Sequence, residues 1–213
     1  LIQDLDPVLY KQFRLEKFSS PKKRNDQNLI AKIKKAPKPV FKVSIFDSLD
    51  RIDDLNNSHP AREYLLNRRL PTDALFFTEK FQAWVNSIKP DTFPEDSQDE
   101  PRIIIPFIDK EGTAFGFQGR ALSNTSLRYI TILLDEGFPK IFGLDAVNYG
   151  KRIFITEGPF DSLLVDNAIA MAGADVHLPE YLDRCDLVYV LDNEPRNPQI
   201  VNRLQSLVDK GEK

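Results

Sequence analysis

Four carboxylates stand where two apolar runs give out. Arg152-Ile-Phe-Ile-Thr156 is followed by Glu157, and Leu187-Val-Tyr-Val-Leu191 by Asp192. Asp161 lies four residues beyond Glu157, and Glu194 two beyond Asp192. An i,i+4 step on a helical turn brings Asp161 back toward Glu157. Alternate residues of an extended turn share a face, which places Glu194 with Asp192. Four acids on one edge repel, and a bound cation offsets that repulsion. Oxygen donors without a His or Cys partner favour Mg2+ or Mn2+ over zinc. Such an ion can orient a triphosphate, neutralise phosphoryl oxygens and assist a hydroxyl or water nucleophile. One carboxylate can instead serve as general base, with Glu157 the first candidate. Spacing alone does not separate base from ligand. Gly158 either permits a close approach at the turn or is a plain turn device.

The elements that must carry these acids follow from periodicity. From residue 150 the order is strand, helix, strand, short helix, strand, helix. That predicts an α/β domain with a central, mostly parallel sheet. In such a sheet the carboxyl ends of the strands share one edge, where ligands bind. A helix is expected over 160–168 and another from Pro198. Upstream, Arg102–Ile108 and Thr113–Gly119 flank Asp109-Lys-Glu-Gly112 and predict a hairpin. Leu127–Ile132 adds a short strand. His59 precedes Pro60-Ala-Arg-Glu-Tyr-Leu-Leu, a helix start with proline in its first turn. A second short helix is expected near 72–76 and a third over 79–88, with Phe81 and Trp84 in the core. Residues 142–148 read as a connection. The overall class is therefore α+β. A basic arm covers 1–43, a mixed helical and hairpin subdomain 44–148, and the sheet domain 149–213.

Charge is uneven along the chain. The net charge of the whole is -3, yet residues 11–42 hold eleven Lys or Arg against Glu16 and Asp26. That arm is compatible with a nucleic-acid contact or with a solvated linker. The acidic remainder does not resemble an electrostatic wrapper of nucleic acid. One cysteine, Cys185, excludes an internal disulfide, and with two histidines it assembles no zinc cluster. No apolar run reaches membrane-spanning length. The first and last residues read as cuts in a longer protein.

Several segments together resemble a known family. Ile155-Thr-Glu-Gly-Pro-Phe-Asp-Ser-Leu163 is similar to the first Toprim motif, and Val190-Leu-Asp-Asn-Glu194 to the second, in which Asp-x-Asp is usual. Residues 102–122 resemble the segment that precedes Toprim in DNA primases of the bacterial and bacteriophage type, a hairpin ending in Gly119-Arg120. Residues 59–70 resemble the helical start of that catalytic core. The likeness spans about residues 50–205 and is greatest to primases of tailed phages. Glu194 in place of Asp, and Pro195-Arg196-Asn197 in place of Ala-Gly, depart from the bacterial pattern.

The resemblance implies synthesis of short RNA primers from ribonucleoside triphosphates on a single-stranded DNA template. It implies Mg2+ or Mn2+ at Glu157, Asp161, Asp192 and Glu194, and nucleotide or template contacts from Arg120, Arg128, Arg196 and Lys151. Zinc is expected only in an amino-terminal domain absent from this sequence, to which the basic arm would tether. A replicative helicase is the implied partner, and the host-cell cytoplasm the implied location. Toprim proteins that cleave DNA, and noncatalytic replisome modules, are the alternatives. His59 is expected to cap or to lie on the surface, and His177 to stand in a loop.

Overall fold

The computed structural model describes residues 43–95, 97–125, 127–173, 178–193, 196–209 and 211. The basic arm up to residue 42, His177 and Glu194 lie outside the described residues.

Two sheets form the body. The larger takes β1 (Asp50–Arg51), β2 (Phe76–Thr78), β3 (Arg102–Ile108), β4 (Ala114–Ala121) and β5 (Tyr129–Leu133) in that order, every pairing antiparallel. The smaller has β6 (Ile141–Phe142), β7 (Ile153–Thr156), β8 (Ala168–Met171) and β9 (Leu187–Val190) in the order β6-β8-β7-β9. Strand β7 is parallel to both neighbours, whereas β6 runs antiparallel to β8. This overturns the expected α/β domain with a mostly parallel central sheet. The class is α+β, with one antiparallel sheet and one mixed sheet.

The reason lies in β6, a two-residue strand with no readable period that adds antiparallel to the sheet's edge. The apolar run of β3 is buried on both faces although its sheet is antiparallel. Ile103, Ile105 and Phe107, with Phe115 of β4, join Ile141, Ile153, Ile155 and Ile169 of the smaller sheet in one core. Ile104 and Phe117 point the other way, into a second core with Phe46, Phe76, Phe81, Trp84 and Val85. Trp84 lies 4.6 Å from Phe117, centroid to centroid. Each such side chain contributes about 1.5–3 kcal/mol on burial.

Helix α1 (Pro60–Asn67) starts at His59, whose Nδ1 accepts the Ala61 N–H at 3.2 Å. That is the capping role expected of it. The helix stops where Arg69 turns left-handed at φ 58°, ahead of Pro71. Helix α2 (Phe81–Ile88) is capped from a distance: Asp99 accepts the N–H of Gln82 at 2.8 Å and of Ala83 at 3.0 Å. Two expected elements fail. Residues 72–76 form no helix; Ala74 turns at φ 58° and β2 follows. The helix expected over 160–168 shortens to α3 (Pro159–Ser162), after which the chain turns through Asn167 at φ 54°. The Asn167 amide pins that turn, donating to Arg152 O at 2.7 Å and accepting the Asn148 N–H at 2.7 Å. Helix α4 (Pro198–Asp209) closes the described chain. No described helix is long and apolar enough to cross a membrane.

Gly119, in the Gly-Arg pair at the end of the hairpin, is demanded by packing. A Cβ there would sit 2.5 Å from Phe81 Cε2 and 3.1 Å from Arg102 Cδ. The variant Gly119→Ala is expected to lose about 1–3 kcal/mol by overpacking. The denaturant midpoint of unfolding measures it; an unchanged midpoint would contradict this packing.

Candidate active site

Thr156 of β7 pairs with Val190 of β9, so the two parallel strands end side by side. Glu157 follows one end and Asp192 comes two residues after the other. Asp161 is presented by the first turn of α3. All three line one cleft of about 820 Å³. Its far wall comes from the other sheet, through Gln118 of β4 and Tyr129 and Thr131 of β5. Arg68, just past α1, and Arg203 of α4 bring positive charge to the same cleft.

Asp161 shows the electrostatics of the site. Burial pushes its carboxyl above the usual range, repulsion from Asp192 pushes the same way, and Arg68 opposes both. Two acids and an arginine thus feel one another across the cleft. Gly158 has an ordinary extended backbone at φ -120°. Its necessity is room: an added Cβ would lie 2.7 Å from Asp161 Oδ2. The close approach is made by the acid of its own motif.

A divalent cation is tested by this donor set. Among the described residues no three His, Cys, Asp or Glu side chains are drawn together tightly enough to hold a metal ion. The acids nevertheless share a cleft, offer only oxygen, and Asp161 and Asp192 repel. That chemistry fits a hard cation arriving to draw them in.

The basic residues expected at the site separate into groups. Arg120 does not line the cleft but stands beside it, on the same face of β4 as Gln118. Its guanidinium lies 4.7 Å from the Tyr129 ring and 5.4 Å from the Tyr64 ring, and its Nε donates to Tyr64 Oη at 3.1 Å. Stacking of this kind fixes the plane of the group. Arg128 is exposed in the turn before β5, and Arg196 is exposed between β9 and α4. Lys151 is exposed ahead of β7, at the opposite end of that strand from Glu157.

The cleft residues Arg68, Gln118, Tyr129, Thr131 and Arg203 escaped the reading of motifs. Arg68 carried a faint signal, being in helical phase with Tyr64 and Leu65. Gln118 carried a clearer one, a polar residue inside the apolar strand Ala114–Ala121.

No protein-family model matches the chain. A curated DNA primase of Enterobacteria phage T4 is 37% identical over 223 residues, covering 100% of this chain and 62% of its own length. The chain therefore spans less than two thirds of that relative. Among solved structures, the DnaG catalytic core superimposes with a TM-score of 0.57 at 19% identity, over 75% of this chain and 64% of that one. The Escherichia coli primase catalytic core gives 0.55 at 19% identity, over 76% and 64%. The Aquifex aeolicus primase, solved with its zinc-binding and RNA polymerase domains, gives 0.54 at 20% identity, over 78% and 51%. This chain is thus similar in sequence to the phage DNA primase and in fold to the bacterial primase catalytic cores.

Proposed function

We propose that the chain is a primase catalytic core that builds short RNA primers from ribonucleoside triphosphates on single-stranded DNA. The carrying observation is the cleft itself: Glu157, Asp161 and Asp192 on one side, Arg68 and Arg203 reaching the same space. The T4 relative supports the reaction type. One of the similar solved structures is a DnaG primase catalytic domain bound to single-stranded DNA, which supports the template class.

In this reading Asp161 and Asp192 would hold Mg2+ or Mn2+, with Glu194 assigned to the set by its spacing, and Glu157, the other candidate ligand, is left to act as base. The bound ion supplies charge neutralisation on the triphosphate. Arg68 and Arg203 bind phosphate oxygens that the acids alone would repel. Glu157 takes the proton from the attacking 3'-hydroxyl as its oxygen bonds the α-phosphorus and the bond to pyrophosphate breaks. Arg120 orients Tyr129 toward the incoming nucleotide, and Arg128, Arg196 and Lys151 contact template phosphate without reading sequence. By resemblance, the intact protein works in the bacterial host's cytoplasm beside a replicative helicase.

The test is template-dependent primer synthesis by the intact protein with four ribonucleoside triphosphates and Mg2+. Primers are expected from the parent and none from Asp192→Ala. A parent that only cleaves the template, or an alanine variant that still polymerises, would sink the proposal. A finer check concerns Gly158→Ala. The intruding methyl displaces a flexible carboxylate, so stability should change by less than about 1 kcal/mol. Mg2+ affinity, by titration calorimetry, should fall on the order of tenfold.

A further inference from the structure

Gln118 is 5% exposed, yet it lines the cleft. It pairs directly across the ladder with Thr131, and its Nε2 lies 3.0 Å from Thr131 Oγ1. Thr131 Oγ1 in turn lies 3.4 Å from the Ala172 carbonyl. A carbonyl only accepts, so the threonine hydrogen points there. The threonine oxygen must then accept from Gln118, which fixes the amide with its NH2 toward Thr131. Gln118 Oε1 is left buried, with no hydrogen-bond partner in the described structure. A buried acceptor without a donor costs about as much as a lost hydrogen bond.

A bound ligand can satisfy this oxygen only by donating to it. Phosphate offers none at neutral pH. A nucleobase offers N–H groups, but their positions differ among the four bases. A templated site has to accept all four. The donor that every ribonucleotide carries, and its deoxy counterpart lacks, is the 2'-hydroxyl. We propose that Gln118, held by Thr131, accepts a hydrogen bond from the 2'-hydroxyl of the incoming nucleotide and so selects ribonucleotides over their deoxy counterparts. This rests on the primase reading of the cleft, and it assigns Gln118 to specificity and not to the chemical step.

The experiment compares binding of ATP, 2'-deoxy-ATP and 3'-deoxy-ATP, each with Mg2+, to the whole chain. The parent should bind ATP on the order of tenfold to a hundredfold more tightly than 2'-deoxy-ATP, and about as tightly as 3'-deoxy-ATP. A parent that discriminates against 3'-deoxy-ATP instead overturns ribonucleotide selection by this residue. Gln118→Met keeps the length of the side chain and removes the acceptor. It should bind ATP only as tightly as 2'-deoxy-ATP and leave that analogue's affinity unchanged. Thr131→Val, which frees the amide to rotate, should lose part of the preference and serves if the methionine variant does not fold. A parent that binds all three equally overturns the assignment while leaving the primase reading intact. So does a methionine variant that keeps the preference, or one that loses Mg2+ and all three nucleotides alike. A parent that binds no ATP, with Asp192→Ala indistinguishable from it, brings down the primase reading and this assignment together.

Discussion

Asp192→Asn should cut primer synthesis on the order of a hundredfold or more while leaving the fold in place. Asp192 is exposed beyond the end of β9, so the amide costs no packing. What disappears is one negative charge from a set that the proposed cation must bridge. A second readout tests the same point without turnover. In metal-free protein, Asp161 titrates high because of burial and of Asp192. Asparagine at 192 removes the second cause, so the Asp161 carboxyl should move down, toward its ordinary value but short of it. Arg68→Ala should move it up. The stability consequence has a definite sign. A carboxyl raised in the folded state contributes stability below its unfolded pKa, and that contribution is lost as pH rises through the folded one. Near neutrality the ionised acids therefore strain the metal-free cleft. Mg2+ should raise the melting temperature there by mass action, and less so in Asp192→Asn. Equal Mg2+ shifts in parent and variant would remove Asp192 from the ligand set.

The largest loss of stability is expected at Arg102→Met. Arg102 is 1% exposed. Its Nη1 donates to Gly119 O at 2.9 Å and to Arg128 O at 3.3 Å, and its Nη2 donates to Leu127 O at 2.9 Å and to Glu100. The guanidinium also lies 5.2 Å from the Phe81 ring centroid. One side chain thus ties the start of β3 to the turn between β4 and β5. Methionine fills some of the volume but satisfies none of these acceptors. The cost should be about 3–5 kcal/mol, the range for breaking a buried ion pair on one side. For a domain of this size that lowers the melting temperature by roughly 10 °C. Arg102→Lys should rescue little, because a point charge cannot serve several diverging carbonyls. Glu100→Gln should cost much less, since the Glu100 side chain is 26% exposed. Calorimetry distinguishes these outcomes. An Arg102→Lys variant as stable as the parent would show that charge, and not the fork, holds the turn.

The acids were legible because strands β7 and β9 are apolar runs with sharp ends, and an acid that follows such a run has one place to go. The hairpin was legible for a similar reason: Asp109 and Gly112 sit between two long strands. Its turn is held as those residues suggest, with Asp109 Oδ1 accepting the N–H of Glu111 at 3.0 Å and of Thr113 at 2.8 Å. Strands β1, β2 and β6 were not legible. Two or three residues carry no period, and each exists only because a longer strand offers it a ladder. Missing β6 is what turned a mixed sheet into an expected parallel one. The cationic side of the cleft was hidden for a different reason. Arg68 and Arg203 are far apart in sequence, and nothing local says that both reach Asp161's side of the molecule. Arg102 entered the reading as the first residue of the hairpin's leading strand. Its sequence context, an arginine opening an apolar strand, gives no sign that its charge is turned inward.

Phe160, the neighbour of Asp161, is 2% exposed and lies 6.2 Å from the Tyr64 ring and 6.4 Å from the Tyr129 ring. The four-residue helix that carries both residues is too short to be stable alone. The acid is therefore aimed by a hydrophobic anchor set between α1 and β5, and its accuracy is only as good as the packing of three rings. Such packing loosens locally at lower free energy than the whole fold. Hydrogen exchange at residues 160–164 should then respond to trimming Tyr64 before the strands of either sheet do. On that footing, cold, pressure or a small cavity beside Tyr64 would act as a dimmer on the acidic cluster, reducing its alignment while the protein still counts as folded.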